Sequence, residues 1–176
     1  PCSTTPSDSS PGCVTDRRDD AMYPWKDAPV RRRALVPSLA LAIVTLTLFV
    51  GVVRAFLKGW DDLDVDACMA QCTEDMCYLN QPLEAIRGKE NVRKMIASIF
   101  APAKKVEFKL VNCFGHENKV ITERVDQWDW NGSGAWQMEL KVCGMFELTE
   151  NGKIIEWREY YDNDYWTNNG GPSLVL

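Results

Sequence analysis

Three stretches of this 176-residue chain decide its fold: they read KVITERVDQWDW over residues 119–130, AWQMELKVCGMFEL over 135–148 and KIIEWREYYD over 153–162. Apolar and polar residues alternate within them, and successive side chains of a β-strand point to opposite faces of a sheet. The stretches are separated by Asn131-Gly-Ser-Gly and Asn151-Gly, which are typical hairpin turns. The sequence therefore predicts consecutive antiparallel strands with one buried face.

Three helices are predicted before these strands. Residues 89–100 place apolar side chains at i, i+3, i+4, i+7 and i+8, which is the spacing of an amphipathic helix. A second helix is predicted from a cap at Asp62 or Asp64 to about Cys72, behind a longer apolar helix. A fourth strand is predicted at 106–112. Together these elements predict an α+β fold, in which a curved antiparallel sheet and three helices form a cone-shaped pocket.

The beginning of the chain has a different composition. Residues 1–33 are rich in Ser, Pro and charged side chains without apolar periodicity, which predicts a disordered leader. Residues 34–53 carry no charge, and about 20 such residues are enough to cross a hydrocarbon core of about 30 Å. Because Arg31, Arg32 and Arg33 would stay in the cytosol, this pattern predicts a single-pass membrane anchor with the following domain on the non-cytosolic side.

The apolar run has a second interpretation. Val53, Phe56 and Trp60 recur at the spacing of an amphipathic helix, so residues 34–53 could instead extend the first core helix of a soluble cytoplasmic protein. In both cases the cone domain is predicted at 54–164. Residues 165–176 are rich in Gly and Asn and are predicted to form a flexible tail.

Charge and cysteine content exclude several classes of partner. The net charge is −5, distributed as +2 over residues 1–54 and −7 over residues 55–176, which argues against nucleic-acid binding. Seven cysteines accompany a single histidine, His116, and no pair has the spacing of a zinc site, so we expect no metal. Cys68 and Cys72 are expected to be buried free thiols.

Alternation identifies three ionisable residues on otherwise apolar faces. Arg124 and Asp126 share a face with Trp128, and Glu159 lies between Trp157 and Tyr161. An unpaired buried carboxylate is costly, whereas an arginine between two carboxylates satisfies all three groups. Such a pair of carboxyls with different proton affinities can act as acid and base. A buried ion pair without any chemistry is the alternative interpretation.

The remaining inward-facing positions are apolar. The strand over 135–148 presents a continuous apolar face, and its other face carries charged and amide side chains. We therefore expect a small lipophilic substrate, in contact with Trp128, Met138, Leu140, Val142, Phe146 and Trp157.

Several motifs resemble those of the limonene-1,2-epoxide hydrolase family, whose cystatin-like cone fold is shared with steroid isomerases and SnoaL-type cyclases. They are Tyr78-Leu-Asn80-Gln-Pro82, Thr122-Glu-Arg124-Val-Asp126, Gly144-Met-Phe146-Glu-Leu148 and Trp157-Arg158-Glu159-Tyr160. The similarity covers roughly residues 52–164. Each motif alone is weak, but their combination at compatible separations is fairly specific.

The resemblance implies hydrolysis of an epoxide to a diol in one step, without a metal, a cofactor or a covalent intermediate. By position, Tyr78 and Asn80 would hold the attacking water and Glu159 would be the base that activates it. Asp126 would protonate the epoxide oxygen, and Arg124 would bridge the two carboxyls. Relatives commonly pair through the outer face of the sheet, so the resemblance also implies a homodimer.

One departure from the family leaves other functions open. The family has an aspartate where this chain has Glu159, and the extra methylene displaces the carboxyl. The same fold could instead serve as an isomerase or cyclase that uses one carboxylate, or as a carrier of apolar ligands. A cone filled by its own side chains, with no cavity of about 300 Å³, would favour a dimerisation module.

Overall fold

The computed structural model describes residues 39–174, and it describes side chains from residue 46 onward. Its elements, in chain order, are α1 (Leu39–Asp61), α2 (Val65–Ala70), β1 (Cys72–Gln81), β2 (Ile86–Arg87), α3 (Lys89–Phe100), β3 (Lys105–His116), β4 (Lys119–Asp129), β5 (Met138–Leu148), β6 (Ile154–Tyr160) and α4 (Asn163–Asn168). The predicted leader at 1–33 and residues 34–38 of the predicted hydrophobic helix lie outside the described residues.

The six strands form one mixed sheet in the order β2-β1-β6-β5-β4-β3. Strands β3 to β6 pair antiparallel with their neighbours in the chain, as the hairpin signals predict. Strand β1 pairs parallel with β6, and the short β2 pairs antiparallel with β1. The predicted α+β class is therefore confirmed, but the sheet has two more strands than predicted and includes one parallel pair.

Helix α1 packs its apolar stripe into the core. Phe49, Val53, Phe56, Leu57 and Trp60 are all almost fully buried. These positions recur at helical spacing, so one face of α1 is covered while polar residues between them remain exposed. Residues at the end of the predicted hydrophobic segment thus belong to the core helix.

The membrane anchor predicted at 34–53 gains no support from this helix. Within residues 39–174, no helix combines the length and the apolar character needed to cross a bilayer.

The two helices that follow begin and end for local reasons. The Asp64 side chain accepts a hydrogen bond from the backbone N–H of Ala67 at 2.9 Å and caps α2, which confirms one of the two predicted caps. Helix α2 ends at Ala70, earlier than predicted, because Cys72 already begins β1. Helix α3 is confirmed, and it buries Val92, Met95, Ile96 and Ile99.

An irregularity in the pairing of β5 with β6 changes which side chains face inward. The β5–β6 register shifts between Glu147 and Leu148. As a result Ile154 is fully buried and Ile155 only partly, whereas alternation predicted Ile155 on the inner face with Trp157. A β-bulge inserts one extra residue and so reverses the alternation on one side of it.

The first residues of the predicted tail 165–176 belong to a helix, because α4 covers residues 163–168. The Asp162 side chain caps α4 by accepting from the backbone N–H of Tyr165 at 2.9 Å. Trp166 is buried, and its indole N–H donates to the Pro172 carbonyl at 2.9 Å. Burial of one large ring therefore orders a segment whose Gly and Asn content predicted otherwise. Residues 175–176 lie outside the described part of the chain.

Candidate active site

The three ionisable residues predicted to face inward meet inside the sheet. Arg124 and Asp126 are two residues apart on β4 and therefore share one face. Glu159 lies on β6, with β5 between the two strands, and it is paired with Gly144. A Cβ atom on Gly144 would collide with the Arg124 guanidinium and lie 2.8 Å from Thr122 Oγ1. The missing side chain at Gly144 lets Arg124 reach Glu159 across β5.

The Arg124 guanidinium is held on all sides. Its Nε donates to Asp126 Oδ1 at 2.8 Å, its Nη1 donates to Thr122 Oγ1 at 3.3 Å, and its Nη2 donates to Glu159 Oε1. The guanidinium carbon lies 4.8 Å from the centroid of the Phe108 ring, within cation–π range. Arg124 therefore bridges the two carboxyl groups in a fixed orientation.

The group is buried. The exposed fractions are 1% for Arg124, 3% for Asp126 and 6% for Glu159. One cation and two ionised carboxylates would leave a net negative charge in a medium of low dielectric constant, which is unfavourable. Burial raises the pKa of Asp126 to about 6, while the Arg124 charge and its hydrogen bond act in the opposite direction. Asp126 is thus the carboxyl that can carry a proton near neutral pH.

Tyr78 and Asn80, the predicted water ligands, lie next to Glu159 because β1 runs parallel to β6 and pairs Asn80 with Glu159. The Tyr78 hydroxyl donates to Glu159 Oε2 at 3.1 Å. Asn80 Nδ2 donates to the Tyr161 hydroxyl at 2.6 Å, and Asn80 Oδ1 is buried without a partner among the described residues. The structure therefore links Tyr78, Glu159, Arg124 and Asp126 in one hydrogen-bond network and places Asn80 beside Glu159 on the neighbouring strand. The catalytic roles of these five residues stay predictions.

A small cavity opens beside this network. Its volume is about 20 Å³, which is room for about one water molecule. The cone is therefore almost filled by its own side chains. The volume of the cavity is far below the volume that a lipophilic substrate needs. The cavity is lined by Trp60, Tyr78, Ile99, Phe108, Asp126, Trp128, Leu140, Val142, Glu159, Tyr161, Trp166 and Leu174.

Of the six predicted substrate contacts, Trp128, Leu140 and Val142 line the cavity, and Met138, Phe146 and Trp157 do not. The latter three are buried in the core instead. Two of them form a dry cluster with a residue of α1: Phe146 and Trp157 stack at 6.1 Å with an interplanar angle of 7°, and Phe56 lies edge-on 5.0 Å from Trp157. Alternation identified the inner face correctly but not which part of it α1 covers.

Six lining residues were missed, and two of them, Ile99 and Phe108, were identified only as apolar positions of a predicted helix and strand. Trp60 was predicted to lie on the apolar face of a helix, but the helical spacing alone does not predict that the Trp60 ring reaches the site. Tyr161 shares the alternation of Glu159, which was the available signal. Trp166 and Leu174 carry no such signal, because they reach the cavity through the fold of the C-terminal segment.

The described cysteines are free thiols, and Cys68 and Cys72 are both buried as expected. Burial raises the pKa of Cys72 to about 12, which makes its thiol unreactive near neutral pH. Between residues 39 and 174, no three His, Cys, Asp or Glu side chains are grouped so that they could bind a metal ion together.

Comparison with known proteins places this site in a family context. The sequence profile of the limonene-1,2-epoxide hydrolase catalytic domain matches residues 48–167. The structure of an LEH-like epoxide hydrolase from M. tuberculosis is similar with a TM-score of 0.60 and 26% identity, over 70% of this chain and 90% of that one. No protein with curated annotation matches the sequence.

Two further structures share the fold at lower identity. A SnoaL-like polyketide cyclase from Jannaschia sp. CCS1 has a TM-score of 0.62 and 19% identity, over 81% of this chain and 99% of that one. A polyketide cyclase from Xanthomonas campestris also has a TM-score of 0.62, with 17% identity over 71% of this chain and 98% of that one. At these identities the similarity shows the cone fold alone.

Proposed function

Since the chain belongs to the limonene-1,2-epoxide hydrolase family, we propose that it hydrolyses a small lipophilic epoxide to a diol without a covalent intermediate. The observation that carries this proposal is the Arg124 guanidinium fixed between the Asp126 and Glu159 carboxyls in an apolar interior. A base for water and an acid for the epoxide oxygen must be separate groups, and this arrangement supplies one of each.

In the proposed step, Glu159 accepts a proton from water while the water oxygen bonds to one epoxide carbon. The bond between that carbon and the epoxide oxygen breaks, and Asp126 transfers its proton to the oxygen. The product is a vicinal diol, with Glu159 protonated and Asp126 ionised. A proton then returns from Glu159 to Asp126 before the next turnover.

The positions of Tyr78 and Asn80 support this role for Glu159. Tyr78 orients one Glu159 oxygen, Arg124 orients the other, and each carboxylate oxygen keeps a further lone pair. Asn80 Oδ1 is a buried acceptor that lacks a partner among the described residues, as expected for an amide that binds the water. The cavity lined by Tyr78 and Glu159 has the volume of one water molecule, although Asn80 is not among its lining residues.

The cost of burying charge also favours chemistry over a structural ion pair. A buried arginine with two carboxylates is commonly no more stabilising than apolar residues of similar volume. A cone that served only as a dimerisation module would be at least as stable with apolar side chains at Arg124, Asp126 and Glu159. The filled cone is the observation that favours such a module, and the charged group is the observation against it.

A substrate larger than water must displace part of the wall. The C-terminal segment, residues 163–174, supplies Trp166 and Leu174 to the lining and is not part of the sheet ladder. Segments outside the ladder open at lower free energy than core strands. Binding of a lipophilic epoxide is therefore proposed to require outward movement of this segment.

The test uses the whole purified protein. It is incubated with terpene and fatty-acid epoxides of graded size in heavy-oxygen water, and labelled diol is measured by mass spectrometry. We expect one labelled oxygen per diol from at least one epoxide. Asp126→Asn and Glu159→Gln should abolish it, whereas Glu156→Gln, on the opposite face of the same strand, should not. Folded protein that yields no labelled diol would overturn the proposal.

An isomerase or cyclase is the second candidate, favoured by the tyrosine hydroxyls and the proton-carrying Asp126 that line the same cavity as Glu159. A base together with such donors suits proton transfer next to a carbonyl group. That reaction needs no arginine bridge between the two carboxyls. Arg124→Gln that loses diol formation but retains a proton-transfer activity, measured as deuterium exchange into a ketone, would favour this candidate.

A further inference from the structure

Tyr161 lies in the site but has no part in the scheme above. It is the first residue beyond the ladder between β1 and β6, which ends with Gln81 paired to Tyr160, and it directly precedes the cap of α4. Its side chain lines the same cavity as Asp126 and Glu159. Its ring lies 6.3 Å from the Trp166 ring. The wall of the cavity therefore includes a phenol in addition to the two carboxyl groups.

The hydrogen bonding of the Tyr161 hydroxyl leaves its proton available. Its oxygen accepts from Asn80 Nδ2 at 2.6 Å. A phenol oxygen that accepts one hydrogen bond can still donate its own O–H. Among the described residues, no acceptor meets hydrogen-bond geometry with that O–H. Asn80 therefore fixes the hydroxyl while the proton is free to meet a ligand in the cavity.

We infer that Tyr161 is a further catalytic residue: its hydroxyl, oriented by Asn80, donates a second hydrogen bond to the epoxide oxygen beside Asp126. The inference rests on the proposed hydrolysis. As the ring opens, negative charge grows on the epoxide oxygen, and a preoriented donor stabilises that charge more than it stabilises the neutral epoxide. Asp126 supplies the transferred proton, and Tyr161 keeps its own throughout.

The raised pKa of the Tyr161 hydroxyl is consistent with a hydrogen-bond donor that keeps its proton. Burial raises the pKa of Tyr161 to about 12; the hydrogen bond from Asn80 opposes this, and the Asp126 carboxyl adds to it. Tyr161 therefore stays protonated wherever Asp126 titrates. The contribution of Asp126 to this pKa means that the two side chains are close enough to interact electrostatically, and both residues line the same cavity.

The experiment compares Tyr161→Phe with Tyr160→Phe. Both substitutions remove one hydroxyl, but Tyr160 faces the outside of the sheet and is 41% exposed. With an epoxide that the wild-type protein hydrolyses, we expect Tyr161→Phe to lower kcat about 10- to 100-fold with little change in KM, because Asp126 remains as the second donor. Tyr160→Phe should leave both constants unchanged. The alkaline limb of the pH–rate profile, along which the acid Asp126 loses its proton, should stay at the same pH in Tyr161→Phe.

A double-mutant cycle separates this role from a structural one. If Tyr161 acted only by positioning Asn80, Tyr161→Phe would have no further effect in an Asn80→Ala background. We expect a smaller but measurable loss in kcat there, because the Tyr161 ring stays packed near Trp166 after its hydroxyl has lost the hydrogen bond from Asn80. A wild-type rate for Tyr161→Phe, or a loss that vanishes in the Asn80→Ala background, would overturn the inference. Absence of diol from the wild-type protein would instead overturn the proposed function.

Discussion

The inner face of the sheet is divided into two regions of opposite character. The rings of Phe56, Phe146 and Trp157 pack on one another, and we call this cluster the apolar floor. The polar site begins with Glu159, only two residues beyond Trp157 on the same strand face. One face of β6 therefore carries both a core residue and a site residue. The two regions differ in how much of the sheet α1 covers.

The two regions contribute to the stability of the fold with opposite sign. The floor buries large rings at close-packed distances, which stabilises the fold. The site buries three ionisable groups whose desolvation opposes folding, and their mutual contacts offset that cost. If this comparison is right, substitutions in the floor should lower stability alone, whereas substitutions in the site should also lower activity.

Removal of Arg124 should have the largest effect, because it affects both quantities. Arg124→Leu leaves two buried carboxyls without their cation, and we expect the free energy of unfolding to fall by about 3–5 kcal/mol, with no diol formation. Urea denaturation measures the first quantity and the labelled-diol assay the second. The control is a triple variant, Arg124→Leu/Asp126→Leu/Glu159→Leu, which should regain stability but not activity. A single variant that loses under about 1 kcal/mol would mean that the group is solvated.

Truncation in the floor should lower stability alone. Phe146→Ala removes a ring that stacks on Trp157, and we expect a loss of about 3–5 kcal/mol in the free energy of unfolding. The kcat of the folded protein should stay near the wild-type value. Phe114→Ala is the control, because Phe114 is 63% exposed and its loss should cost under about 0.5 kcal/mol. A large drop in kcat for Phe146→Ala would show that the floor also positions the site.

The pH dependence of stability should distinguish Asp126 from other carboxyls. Burial raises its pKa in the folded protein to about 6, above the ordinary value of 3.8 for an aspartate, so the folded state binds this proton more tightly than the unfolded state does. Stability from Asp126 is therefore fully present below about pH 4 and falls by about 3 kcal/mol as the pH rises through 6. Urea denaturation between pH 4 and 8 measures this.

The matched comparison is with Asp126→Asn. Other carboxyls titrate in the same range, so the wild-type curve alone is ambiguous. The difference between the two proteins isolates Asp126, and it should fall with rising pH. A difference that stays flat from pH 4 to 8 would mean that Asp126 is ionised throughout.

Regular alternation explains why the site could be predicted from the sequence. Arg124 and Asp126 lie in a strand without a bulge, so period two assigns their face correctly. Glu159 was assigned by the same rule, since the register shift of β6 lies before Trp157. The rule failed at Ile155, on the other side of that shift.

Features that depend on distant parts of the chain could not be predicted. Strand β1 carries Thr73, Glu74 and Asp75 in succession and shows no alternation, and it is a strand because it pairs with β6, about 80 residues later. Helix α4 forms where composition predicted a tail, because Trp166 packs against Trp128 of β4 and Trp130, the first residue after that strand. Local patterns do not contain such tertiary contacts.

The boundary between the two regions provides the finest test, because one glycine lies on it. Gly144 sits on β5 between Phe146 and the Arg124 guanidinium, and an added methyl group would collide with Arg124 Nη1. Gly144→Ala should therefore displace Arg124 while leaving the floor packed. We expect a loss of about 1–3 kcal/mol in the free energy of unfolding and of about 100-fold in kcat.

Gly51→Ala is the matched control, because Gly51 lies within α1 with nothing within 4 Å of an added Cβ. That change should raise stability by about 0.5–1 kcal/mol and leave kcat unchanged. If Gly144→Ala retained wild-type activity, Arg124 could bridge the carboxyls from more than one position. The close approach of Gly144 to the Arg124 guanidinium would then be a feature of packing alone. The polar site would accommodate small displacements of its side chains, as an ordinary core does.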